Sequence, residues 1–138
     1  AAMWSRDLAA AQVPAGVADS KLLTEHRREG IVDELRSWCA AYAVGQASNA
    51  EIDEWGISHA LGIAALRALN DVERQLGMDG PAGSGRRVDV ILDGPNDYIT
   101  KTMNTFDAPA LRFRYRCRAR SRATVIVRPS PARRSSRR

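Results

Sequence analysis

Asp93 closes the apolar run Val88-Asp89-Val90-Ile91-Leu92 and is followed at once by Gly94 and Pro95. Two chemistries are open to a carboxylate in that place. It can bond the backbone of a turn, since Asp-Gly and Pro are turn formers. It can also serve as an oxygen ligand for a hard cation, held at a strand end where substrate can approach. Residue types alone leave both open. Glu51 and Asp53 resemble a catalytic pair by spacing, but Ser48-x-x-Glu51 is a capping box and Asp53 falls in the same helical turn. His59 stands beside an apolar helical stripe and reads as a structural or surface residue. Asp89, Asp97 and Asp107 lie near Asp93 in sequence without an assigned role. Cys39 and Cys117 match no metal-ligand spacing, and Cys39 reads as a buried free thiol.

The elements that must position these groups follow from periodicity. Ile31, Leu35, Trp38 and Tyr42 recur at helical spacing from Thr24, a plausible N-cap, to about Ala41. Ala41 to Ala47 turns to an extended pattern. A second helix runs from about Gly56 to Leu76, its stripe expected at Ile57, Ala60, Leu61, Ala64, Ala65, Ala68, Leu69, Val72 and Leu76, and Gly77 stands where a C-cap belongs. A surface loop, "GMDGPAGSGRR", leads into the strand Val88–Leu92. Residues 1–17 show no strong strand pattern. Helix, strand, helix, strand implies an α/β layer architecture.

Charge divides the chain in two. Residues 1–107 hold ten basic residues and all sixteen acids, a net −6, whereas residues 108–138 hold eleven arginines and no acid, a net +11. Arginine occupies every second position from Arg112 to Arg122. A strand with one face wholly arginine would repel itself, so a disordered basic tail is expected over 108–138. Its arginines, interleaved with Phe113 and Tyr115, suit non-specific nucleic-acid binding. The 138 residues allow one domain with one core, and no apolar run approaches the ~20 residues of a membrane span. Without a signal-peptide pattern and with two unpaired cysteines, a cytoplasmic location is expected.

Three stretches, in order and in register, resemble the ribonuclease HII family: "ADSKLLTEHRRE" from Ala18, "VGQASNAEIDEWGISHALGIAALRAL" from Val44, and "VDVILDGPNDYI" from Val88. Together they span roughly 16–107, which makes 1–107 a partial catalytic domain. The resemblance implies a partial ribonuclease H-like α/β fold. It implies an endoribonuclease that cleaves the RNA strand of RNA–DNA hybrids and nicks DNA at embedded ribonucleotides. The cofactors implied are two Mg²⁺ or Mn²⁺ ions held by four carboxylates, and a monomer without membrane attachment is expected. By the same resemblance Asp93 matches the Asp-Gly metal ligand and is assigned both the metal and the catalytic role. Lys21 matches a residue near the substrate backbone and is assigned a phosphate contact.

The chain also departs from the family pattern. Nothing before Asp19 matches the family's Asp-Glu-x-Gly-Arg-Gly motif, and the region after "NTFDAPA" is arginine-rich where a fourth carboxylate is expected. An abrupt run of Arg, Ser, Pro and Ala without acids is what a GC-rich gene yields out of frame. The expectation is therefore an internal fragment with a frame-shifted C-terminus, inactive as it stands.

Overall fold

The structure, a computed structural model, describes residues 2–4, 13–77, 87–105, 108–109, 111, 114–120 and 126–129. Residues 78–86 of the expected loop, Asp107 and Phe113 lie outside the described residues.

Local signals start most helices where the sequence places them. The Thr24 hydroxyl accepts the Arg27 N–H and opens α1, Glu25–Gly30. The helix expected through Ala41 is split, because α2, Val32–Trp38, begins anew after Ile31. Gly30, followed by two β-branched residues, is the weakest helix-forming point of that stretch. At α3, Asn49–Trp55, the capping box is complete: Ser48 N–H donates to Glu51 Oε2 at 2.7 Å, and Glu51 N–H donates to Ser48 Oγ at 3.2 Å. The long helix α4 spans Ile57–Gln75, and α5 spans Tyr98–Met103.

The strands are β1 (Ala2–Trp4), β2 (Ala41–Ala43), β3 (Arg87–Asp93), β4 (Arg114–Arg120) and β5 (Ile126–Pro129). They form one sheet in the order β2-β1-β5-β3-β4. β3 runs parallel to β4 and antiparallel to β5, while β1 runs parallel to β5 and antiparallel to β2. The α/β architecture is as expected. The strand at Ala2–Trp4 is a correction, since three residues are too few to show a period.

The buried face of α4 also differs from expectation. Ile57 and Leu61 are 58% and 45% exposed, whereas Ile63 and Leu66 are 1% and 0% exposed. Ala60, Ala68, Leu69 and Val72 are buried as expected, so the stripe is turned toward Ile63 and Leu66. Leu66, Ala68, Leu69 and Val72 pack with Val88, Val90 and Leu92 of β3 and with Ile99 of α5. Each fully buried Leu or Ile contributes roughly 1.5–3 kcal/mol.

The expectation of disorder from residue 108 is corrected at β4 and β5. The run that places Arg at every second position also places Tyr115 and Cys117 at the alternate ones, which is the period of a half-buried strand. Tyr115 and Cys117 are half-buried and pack against the core, while Arg116 is exposed. Residues 130–138 lie outside the described residues.

Tyr115 Oη donates to Glu73 Oε1 of α4 at 2.5 Å, and Glu73 is only 2% exposed. Burial first, and then this bond, push the Tyr115 hydroxyl well above its ordinary pKa. Tyr115→Phe is expected to cost about 1–3 kcal/mol, because the carboxylate stays buried with one donor fewer. Urea unfolding monitored by circular dichroism measures this. An unchanged midpoint would show that β4 is not docked under α4.

Candidate functional site at the end of β3

Asp93 is the last residue of β3, and Leu92 before it is fully buried. Gly94 follows with φ 104°, a conformation that glycine adopts without strain, and it turns the chain off the sheet. Asp97 then starts α5. Its Oδ1 accepts the Thr100 N–H at 2.9 Å, and its Oδ2 accepts the Thr100 hydroxyl at 2.6 Å. The role left open for Asp97 is thus helix capping. In register Asp93 pairs with Arg120 at the matching end of β4. Both strands run parallel there, and carboxyl ends of parallel strands are where α/β sheets place ligands.

The turn is held from behind by α5 on α4. Thr102, buried in α5, bonds Tyr98 O at 2.8 Å, and a Cβ on Gly62 would fall 2.0 Å from its Oγ1. Across the molecule, Gly45 brings the chain after β2 onto α4, where a Cβ would meet Ala64 O at 1.8 Å. Arg67 clamps the same region. Its Nη1 donates to Gln46 O at 2.7 Å, and its Nη2 donates to Glu51 Oε1 at 2.5 Å. Glu51 is therefore a capping residue, as its spacing implies, and also the ion-pair partner of Arg67, which spacing did not reveal.

Hydrogen bonding from Arg67, and then from the Ser48 backbone, lowers the Glu51 carboxyl from 4.5 to about 2. A depressed carboxylate adds stability above its unfolded value and loses it as pH falls toward its folded value. The α3 anchoring is expected to be intact above about pH 4.5 and lost progressively toward about pH 2. The melting temperature of the chain should fall across that window more steeply than that of Glu51→Gln. Parallel curves would show that the pair contributes nothing.

Lys21 is exposed, in a single 3-10 turn at Ser20–Leu22. Its N–H donates to Asp19 Oδ1 at 3.0 Å, and Arg28 Nη1 donates to Ser20 O and Leu23 O at 3.0 and 3.2 Å. Arg28 holds the Lys21 segment in place, a role that spacing did not reveal. None of the described hydrogen bonds or ion pairs joins Lys21 to the end of β3. His59 stacks edge-on to Trp55, with ring centroids 5.3 Å apart, as suits a structural residue. Cys39 and Cys117 are both unpaired, and burial raises both thiols, Cys117 to about 11.

Among the described residues no group of three or more His, Cys, Asp or Glu side chains converges to hold a metal ion. The described residues therefore do not fit a two-ion centre by themselves. No described helix is long and apolar enough to cross a membrane.

Fold and site define a mixed α/β protein with a carboxylate at the carboxyl end of a buried strand. Over 87 residues, 62% of this chain, the sequence is 47% identical to the ribonuclease HII of Streptomyces griseus, covering 32% of that protein. It is 45% identical over 86 residues to the ribonuclease HII of Streptomyces avermitilis, with the same shares covered. With that of Shewanella sp. (strain MR-7) it shares 51% identity over 55 residues, 40% of this chain and 26% of the relative. The resemblance to ribonuclease HII is thereby borne out, and the chain spans about a third of the length of the Streptomyces relatives. No protein-family model matches the chain, and no solved structure matches it.

Proposed function

We propose that this chain carries part of the catalytic machinery of a ribonuclease H-type endonuclease, with Asp93 as one metal ligand in a partial ribonuclease H-like fold. The observation that carries the reading is the match to ribonuclease HII together with the place of Asp93 at the carboxyl end of β3. The substrate class is an RNA–DNA hybrid, or DNA with an embedded ribonucleotide, in the cytoplasm. The complete site would be loaded with Mg²⁺ or Mn²⁺, and its other ligands would come from outside the described residues. Within this chain, Asp93 is the last residue of β3, Gly94 turns the chain at φ 104°, and α5 follows at Tyr98–Met103. Lys21, exposed on a loop tied down by Arg28, would meet a substrate phosphate.

The test is cleavage of a labelled duplex carrying one ribonucleotide, with Mg²⁺ or Mn²⁺ present. One carboxylate holds such ions poorly against their hydration. The 138-residue polypeptide is therefore expected to leave the duplex intact. A full-length ribonuclease HII with residues 16–107 of this chain grafted into the matching segment is expected to cut it. Robust cleavage by the polypeptide alone, or an inert graft that folds, would overturn the reading.

A further inference from the structure

α4 and α5 pack on the side of β3 occupied by Val88, Val90 and Leu92. The alternate positions of β3 are different. Asp89 and Ile91 are partly exposed, and in register Asp89 pairs with Arg116 of β4 and with Arg128 of β5. Along β4, Arg114, Arg116, Arg118 and Arg120 stand at alternate positions, and Arg116 is exposed. Alternate positions of a strand share one face at ~6.6 Å per step, so the row extends about 20 Å. It ends at Arg120, the register partner of Asp93.

We propose that the sheet face opposite α4 is a docking surface for the phosphate backbone of a nucleic acid, with the β4 arginines as its phosphate-binding row. The proposal rests on the reading of this chain as a nucleic-acid enzyme, and it adds the surface and the direction of approach. A straight, regularly spaced row of one charge fits a ligand that is itself a line of regularly spaced charges. At ~3.4 Å of helix axis per nucleotide on each strand of a duplex, 20 Å of axis spans about six nucleotides. Guanidinium binds phosphate through two parallel N–H bonds, which lysine does not match. Because β3 and β4 run parallel, a backbone lying on the row reaches the level of Asp93.

The test is equilibrium binding of the whole chain to a fluorescein-labelled 20-base-pair RNA–DNA hybrid without divalent ions, which keeps its outcome separate from that of the cleavage assay. Replacing Arg114, Arg116, Arg118 and Arg120 by Gln is expected to lower the slope of log affinity against log salt by about 3 to 4. Affinity would then fall about a hundredfold less between 50 and 200 mM salt than it does for the unmodified chain. Replacing Arg133, Arg134, Arg137 and Arg138 by Gln removes the same charge and is expected to change the slope by less than half as much. Equal slopes for the two variants would overturn the proposal, because binding would then follow charge number alone. Should the β4 variant not fold, phenylglyoxal modification of the unmodified chain decides the matter. Bound hybrid is expected to protect Arg116 more than Arg133–Arg138, and the reverse order would overturn the proposal. Equal affinity for an acidic peptide of the same charge would overturn the choice of nucleic acid.

Discussion

Asp93→Asn, placed in the grafted full-length enzyme, is expected to lower cleavage of the single-ribonucleotide duplex by well over a hundredfold. The amide keeps the size and shape of the carboxylate but removes its charge and one anionic oxygen. Hard divalent ions are held by anionic oxygens, and Mg²⁺ sheds its water reluctantly. Groups that only support a ligand from behind cost about 10–100-fold when removed, so loss of a ligand sets a larger effect. Asp89→Asn is the internal control. It lies four residues back along β3, ~13 Å from Asp93, beyond direct contact with an ion held at the strand end. Its effect is expected to stay within a few-fold. Calorimetric titration with Mn²⁺ separates the two cases without turnover, since only Asp93→Asn should weaken binding. An active Asp93→Asn enzyme would remove Asp93 from the site and return it to the role of a turn former.

Gly45→Ala is expected to be the most destabilising single-methyl change, costing on the order of 3 kcal/mol. A Cβ there would lie 1.8 Å from Ala64 O and 2.8 Å from Ala68 N, both backbone atoms of the long helix. Backbone cannot rotate aside as a side chain does, so the segment after β2 must lift off α4. Gly62→Ala should cost somewhat less. There the nearest atoms belong to the Thr102 side chain at 2.0 and 2.6 Å, although Tyr98 O at 2.8 Å still blocks full relief. Gly30→Ala is the control, because a Cβ on Gly30 meets nothing within 4 Å. Alanine there reduces the freedom of the unfolded chain and is expected to be neutral or slightly stabilising. Thermal melts followed by circular dichroism rank the three. If Gly45→Ala melts with the unmodified chain, α4 does not approach residue 45 closely, and the packing that steadies the Arg67 clamp is wrong.

Much of this protein was legible in one dimension wherever the deciding interaction is local. Ser48 and Glu51 lie three residues apart and satisfy each other's helix-end groups, so their capping box stood in the sequence before any fold. Thr24 before α1 and Gly77 after α4 mark helix ends for the same reason. The strand ending at Asp93 was visible from its apolar run and the Asp-Gly that stops it, and the resemblance to ribonuclease HII rests on such contiguous words. What only the tertiary structure decided depends on partners distant in the chain. The alternate positions Tyr115 and Cys117 become a strand because α4 and β3 bury them, with Glu73 waiting 42 residues away to accept the Tyr115 hydroxyl. α4 turns Ile63 and Leu66 inward instead of Ile57 and Leu61 because the sheet and α5 bury that side, and helical periodicity alone fits several neighbouring stripes. Gly45 and Gly62 look like ordinary glycines until two backbones meet at the space where a methyl would be. Local hydrogen bonding and period are written along the chain, whereas burial is a property of whichever surfaces the folded chain brings together.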